Sequence, residues 1–199
     1  MSDNQKNQML ADLYRRIQAD EVYRGEHMGR VFVPGQGNLE DGAMVFVGEA
    51  PGREEEMERR PFVGQAGKNL NALLAEVGLD RDKLFITNLV KYRPLSKTGG
   101  NRSPSAVERR RALPYLLREL SILEPSMVVC LGLSSAKSVL GRQDLKMSES
   151  NGTLFEHHGL RILVTYHPSP FNTSNPRKRA AMLEALLSLD SEGSGRTDL

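Results

Sequence analysis

Four short stretches carry side chains able to do chemistry. In GEAPGREEE, residues 48–56, the small residues let a ligand approach the backbone while Glu49, Glu54, Glu55 and Glu56 bring carboxylates beside it. In PFVGQAGK, residues 61–68, Phe62 offers a ring that can stack on a base. The small residues after it open a helix whose N-terminus can hold a phosphate, with Gly64 and Lys68 placed to contribute. A Walker loop is excluded, because it needs a glycine where Phe62 stands and a serine or threonine where Asn69 stands. Asn88, followed by Lys91, Tyr92, Arg93 and Pro94, has a donor and an acceptor in one plane, which suits a Watson–Crick edge; taken alone, an asparagine there is more often a turn former. In YHPSP, residues 166–170, His167 can donate to a developing negative charge and Ser169 can contact a phosphate, although such a histidine serves equally as a cap.

Regular elements must hold these stretches in place, and the hydrophobic pattern supplies them. Residues 43–47, 84–90, 127–131 and 161–166 are short apolar runs, as expected of strands buried on both faces. Helical spacing appears over 5–19 through Leu10, Leu13, Tyr14 and Ile17, and over 65–77 through Ala66, Leu70, Leu73, Leu74 and Val77, where Gly78 ends the helix. Two more helices are predicted, over 105–123 and ending at Leu189. The alternation predicts an α/β fold, three layers α/β/α around a central four-stranded parallel sheet, with ligands at the carboxyl ends of the strands. The chemical stretches stand there. Residues 1–189 are predicted to form one domain, and 190–199, rich in Ser, Gly and Asp, a disordered tail. His157 and His158 before Gly159 fit a hairpin or turn, with no role assigned. The basic run 109–111 reads as a solvated helix face, whereas Arg177, Lys178 and Arg179 follow a strand-end loop and are better placed to meet a phosphate backbone.

With 199 residues, 39% apolar and 26% charged, the chain suits one compact domain and excludes a large multidomain machine. The net charge of +2 decides nothing about nucleic acid, which depends on where the basic side chains lie. No run approaches the ~18 apolar residues of a membrane span, and the polar N-terminus lacks the core of a secretory signal, so a cytoplasmic location without membrane attachment is expected. Cys130, the sole cysteine, excludes an internal disulfide, a thiolate zinc finger and a cluster held by four thiolates of one chain.

The segments GEAPGREEE (48–56), PFVGQAG (61–67), TNLVKYRP (87–94) and HPSP (167–170), in this order and spacing, resemble the family 4 uracil-DNA glycosylases from about Val33 to about Leu187. Each motif is weak alone; the four together are specific. The resemblance implies a single α/β/α domain on a four-stranded parallel sheet, in agreement with the element order. It implies that Gly48, Glu49 and Ala50 line a uracil pocket, that Phe62 stacks on the flipped base, that Asn88 binds its Watson–Crick edge, and that His167 donates to uracil O2. Glu55 and Glu49 are rivals to orient water or stabilise the sugar cation. Ser169 and residues 170–176 match the segment that contacts phosphate and wedges into the duplex, with Gly64, Lys68, Arg177 and Lys178 as further DNA contacts.

The implied chemistry asks for these residue types. Breaking an N-glycosidic bond develops positive charge on the sugar and negative charge on the base, so an anion and water are needed on one side and a donor on the other. Asn88 would separate uracil from cytosine, since the reversed donor pattern leaves buried groups unpaired at ~1–3 kcal/mol each. Phe62 and the pocket walls would exclude the thymine methyl.

Family 4 enzymes typically hold an iron–sulfur cluster with four cysteines, and Asp20, Tyr23, Tyr92 and Ala112 stand at the matching places here. Cys130 reads as a small buried hydrophobe. No cluster and no metal are expected, and Tyr23 and Tyr92 are expected to pack into the vacated volume. A related branch captures uracil covalently through a histidine in the loop after KxRP; residues 95–102 contain none, so turnover is expected. The expected function is a monomeric, monofunctional enzyme that hydrolyses uracil from DNA and leaves an abasic site in base excision repair. The alternatives are a glycosylase for hypoxanthine or xanthine, a silent DNA- or nucleotide-binding module, and a small-molecule hydrolase. Silence is disfavoured by the joint presence of Glu49, Glu55, Phe62, Asn88 and His167.

Overall fold

In the computed structural model, which describes residues 1–25 and 27–193, the chain begins with α1 (Asp3–Ala19), α2 (Glu21–Arg24), β1 (Gln36–Gly37), β2 (Val45–Gly48), α3 (Arg53–Glu58) and α4 (Gln65–Glu76). It continues through the 3₁₀ turn Arg81–Lys83 into β3 (Phe85–Asn88), then α5 (Ala106–Leu123), β4 (Val128–Leu131), α6 (Leu133–Val139), α7 (Met147–Ser150), β5 (Leu154–His157), β6 (Leu160–Thr165), α8 (Pro170–Thr173) and α9 (Pro176–Gly193).

All four apolar runs predicted to be strands are strands, and they lie side by side and parallel in the order β3-β2-β4-β6. The described sheet nevertheless has six strands rather than four: β1 pairs antiparallel with β3 at one edge and β5 antiparallel with β6 at the other. Side chains alternate across a pleated strand. Val45, Val47, Val128, Cys130, Ile162 and Val164 therefore pack beneath α1, α5 and α6, while Phe46, Ile86, Val129, Leu131 and Leu163 pack against α4 and α9. This is the expected three-layer arrangement. The hairpin between β5 and β6 turns through His158 at φ +50° and Gly159 at φ +77°, as the His-His-Gly triplet suggested.

Local chemistry sets the helix starts. Ser2 caps α1 and Ser105 caps α5, each in a reciprocal box with the residue three further on, Gln5 and Glu108. The last helix runs to Gly193, four residues past the predicted end at Leu189, so the start of the expected tail is helical; residues 194–199 lie outside those described. No helix among the described residues is long and apolar enough to cross a membrane.

Two features under the sheet bear on the site. Lys91, 1% exposed, sits just beyond β3 and pairs with the buried Glu119 of α5 at 2.6 Å; Thr87 and Tyr14 hydrogen-bond to the same pair. Beside it lies a chain of rings, Tyr14, Phe32, Tyr92, Tyr23 and Tyr115, with successive centroids 5.3–5.9 Å apart. Tyr23 and Tyr92 are buried in contact with one another, as expected.

Candidate active site

The loops leaving β2, β3 and β6 enclose a cavity of about 440 Å³ at the carboxyl end of the sheet. Asn88 closes β3 with its side chain 3% exposed and reaches this cavity. Gly48 is its register partner on β2. A Cβ at Gly48 would stand 2.6 Å from the Phe62 ring, so only glycine leaves room for ring and amide to face the same space. Phe62 is buried and held at φ +53°, a left-handed conformation that costs an aromatic residue about 1–2 kcal/mol. Its ring centroid lies 6.0 Å from that of His167.

His167 follows β6, and the loop that carries it is tied down by several bonds. Ser169 N and Asn172 Nδ2 donate to the His167 carbonyl at 2.8 and 2.9 Å, and Asn69 of α4 donates to the Pro168 carbonyl at 2.9 Å. Burial pushes the imidazole below the ordinary histidine value, opposed by the negative charges of Glu49 and then Glu55. The neutral ring therefore predominates near neutral pH and still offers an N–H donor.

The two carboxylates differ in what they touch. Glu55, buried at the start of α3, accepts from Gly52 N at 3.0 Å through one oxygen and from Val63 N and Gly64 N at 3.0 and 2.8 Å through the other. Glu49, half-buried on the cavity wall, accepts from the Ser103 hydroxyl at 3.3 Å. Glu55 binds backbone, whereas Glu49 faces open space. The bond to Glu55 also occupies the Gly64 amide, which is thus not available to a phosphate.

Ala50 lines the cavity with Glu49. Lys68 is exposed on α4, and Ser169 is half-buried at the cap of α8. Arg177 is exposed near the start of α9, while Lys178 turns toward Tyr166 and Phe171, its ammonium 5.6 and 4.5 Å from the two ring centres. Phe171 is 77% exposed. Asn101, Arg102 and Ser103 also line the cavity, and none of them was singled out as a site residue from sequence. Arg93 holds their loop by bonding Glu56 at 3.2 Å and Asn101 at 2.5 Å. Gly132 at φ +101° was missed too; a Cβ there would press to 3.2 Å on that of His167. Position offers a clue for Gly132 alone, which directly follows β4; residues 101–103 lie at the far end of the long loop between β3 and α5.

A model of the uracil DNA glycosylase superfamily matches residues 34–189, a span that contains every residue of this cavity. The chain belongs to that superfamily. It is similar to the type-4 uracil-DNA glycosylase of Archaeoglobus fulgidus, 39% identical over 145 residues that cover 69% of this chain and 70% of the relative. That of Pyrobaculum aerophilum is 40% identical over 144 residues, 69% and 71% of the two chains, and that of Saccharolobus solfataricus 38% over 170 residues, 81% and 74%.

Uracil-DNA glycosylases of this type imply an iron–sulfur cluster, and the residues at the matching places do not fit one. Tyr23 and Tyr92 are ring-packed, the Tyr23 hydroxyl accepts from Lys91 N at 2.8 Å, Asp20 accepts from Tyr115 at 2.7 Å, and Ala112 is buried. No thiolate is among them. Cys130 lies inside β4, where burial pushes its thiol up to about 12, and no group of three or more metal-ligating side chains occurs among the described residues.

Proposed function

We propose that this chain is a monofunctional, monomeric DNA glycosylase of the cytoplasm that hydrolyses uracil from DNA without an iron–sulfur cluster. The observation that carries the reading is the convergence of the Phe62 ring, the Asn88 amide, the His167 imidazole and the Glu49 carboxylate on one cavity. Lifting a base from the stack costs a few kcal/mol. Stacking on Phe62, worth ~1–3 kcal/mol, and the edge bonds of Asn88 offset that cost. The neutral His167 then donates to uracil O2 as negative charge grows on the leaving base, and Glu49 orients water and faces the sugar cation. Glu55 is assigned a backbone role, because its oxygens already accept three amides. Phe171, exposed on α8 four residues beyond His167 and stacked under Lys178, is the wedge that fills the place of the flipped base.

Single-turnover excision on oligonucleotides containing one uracil, hypoxanthine, xanthine or thymine opposite G tests this. Uracil release that falls at least ~100-fold in His167→Ala is expected, since one lost donor to a developing anion has about that effect. Release of only another base would move the specificity, and no release alongside clear DNA binding would sink the enzymatic reading.

A further inference from the structure

The turn that carries Phe62 is gripped from two sides by opposite charges. Arg81 Nη2 donates to the carbonyls of Pro61 and Phe62 at 3.1 and 3.2 Å, while the amides of Val63 and Gly64 donate to Glu55. The peptide joining Phe62 to Val63 is therefore held at both ends, its oxygen by a guanidinium and its N–H by a carboxylate. A peptide dipole between two such charges favours one orientation of its plane, which fixes the rotation on the carbonyl side of Phe62, while the same guanidinium on the Pro61 carbonyl holds the preceding peptide and with it the φ of +53°. Gly67 closes the third side, because a Cβ there would overlap the Phe62 carbonyl.

Arg81 is itself aimed. Its Nη1 donates to Asn71 Oδ1 of α4 at 2.6 Å, and it sits half-buried on the short turn entering β3. It does not line the cavity; it faces a separate recess of about 160 Å³ behind the turn, beside Arg60 and Gln36. Its route to the cavity is the backbone of Phe62.

We propose that Arg81 is a positioning residue for the base-stacking platform, acting opposite Glu55 through the 62–63 peptide. This rests on the reading of Phe62 as the surface on which the flipped base stacks. A relaxed turn would let the ring leave the slot that Gly48 opens for it, and small misplacements of binding groups have large kinetic effects.

The test is a double-mutant cycle of Arg81→Ala and Phe62→Ala, read as single-turnover excision of uracil from a single-stranded oligonucleotide at several salt concentrations. Arg81→Ala is expected to lower the rate about 10-fold in the native background. In the Phe62→Ala background the same change should matter less than about 2-fold, since a residue acting through another loses its effect when that other is gone. The salt slope should stay the same, and Arg81→Lys, which keeps the charge and a donor, should recover part of the rate. Equal losses in both backgrounds overturn the proposal, as does a slope reduced by about one in Arg81→Ala, the mark of a phosphate contact. An unchanged rate in Arg81→Ala also overturns it. If Phe62→Ala alone leaves excision intact, the platform reading fails and takes this inference with it, an outcome visible without any Arg81 variant. Should Arg81→Ala not fold, Arg81→Gln replaces it in the same cycle with the same expected outcomes.

Discussion

His167 titrates below the ordinary histidine value because burial penalises its cation more than Glu49 and Glu55 favour it. The sign of the linkage follows. Above the unfolded value of about 6.5, neither state holds the proton and the folded chain has its full stability. As pH falls below that value the unfolded chain takes the proton first, so stability is lost down through the folded value. The melting temperature of the native protein should therefore drop more steeply than that of His167→Gln between about pH 7 and about pH 5. Asn88 supports a second expectation. Its amide can donate to uracil O4 and accept from N3–H, whereas an aspartate only accepts and suits the amino group of cytosine. Asn88→Asp should lower uracil excision by at least ~10-fold, each unpaired buried group costing ~1–3 kcal/mol, and shift the ratio of uracil to cytosine excision toward cytosine. Competition between the two oligonucleotides measures it.

Between element and element, β3 depends on a charge pair beneath its end. Lys91 and Glu119 are both buried, and Thr87 and Tyr14 complete the network that joins β3 to α5 and α1. Removing one partner leaves the other charge uncompensated, so Lys91→Met should destabilise the fold by about 3–5 kcal/mol in urea unfolding, with part recovered by adding Glu119→Gln. This network was not legible in the sequence, since Lys91 reads there as one more basic residue of a loop. The parallel strands were legible because runs such as 45–47 and 128–131 are apolar at every position, as burial on both faces demands. The two edge strands were not. β1 has two exposed residues, and Leu154–His157 alternates between exposed and half-buried, so neither presents a continuous apolar run.

At the scale of the whole molecule, the site assembles from loops at one end of the sheet, and those directly after β2, β3 and β6 were readable from residue type and position. Ser103, Gly132 and Arg81 were not, because each owes its contact to a close tertiary approach that no local pattern encodes. The exposed Phe171 projects beside that end. Phe171→Ala should slow excision from duplex DNA about 10-fold and from a single strand less than about 2-fold, since only the duplex must be unpaired and unstacked. Measuring both substrates at equal enzyme excess gives the ratio. Cys130, finally, lies in the central strand β4 with no exposure and an elevated thiol. A thiol so placed is shielded from alkylating reagents until the sheet itself comes apart. Its rate of labelling is thus a built-in clock for global opening, one that needs no engineered probe in a chain without tryptophan.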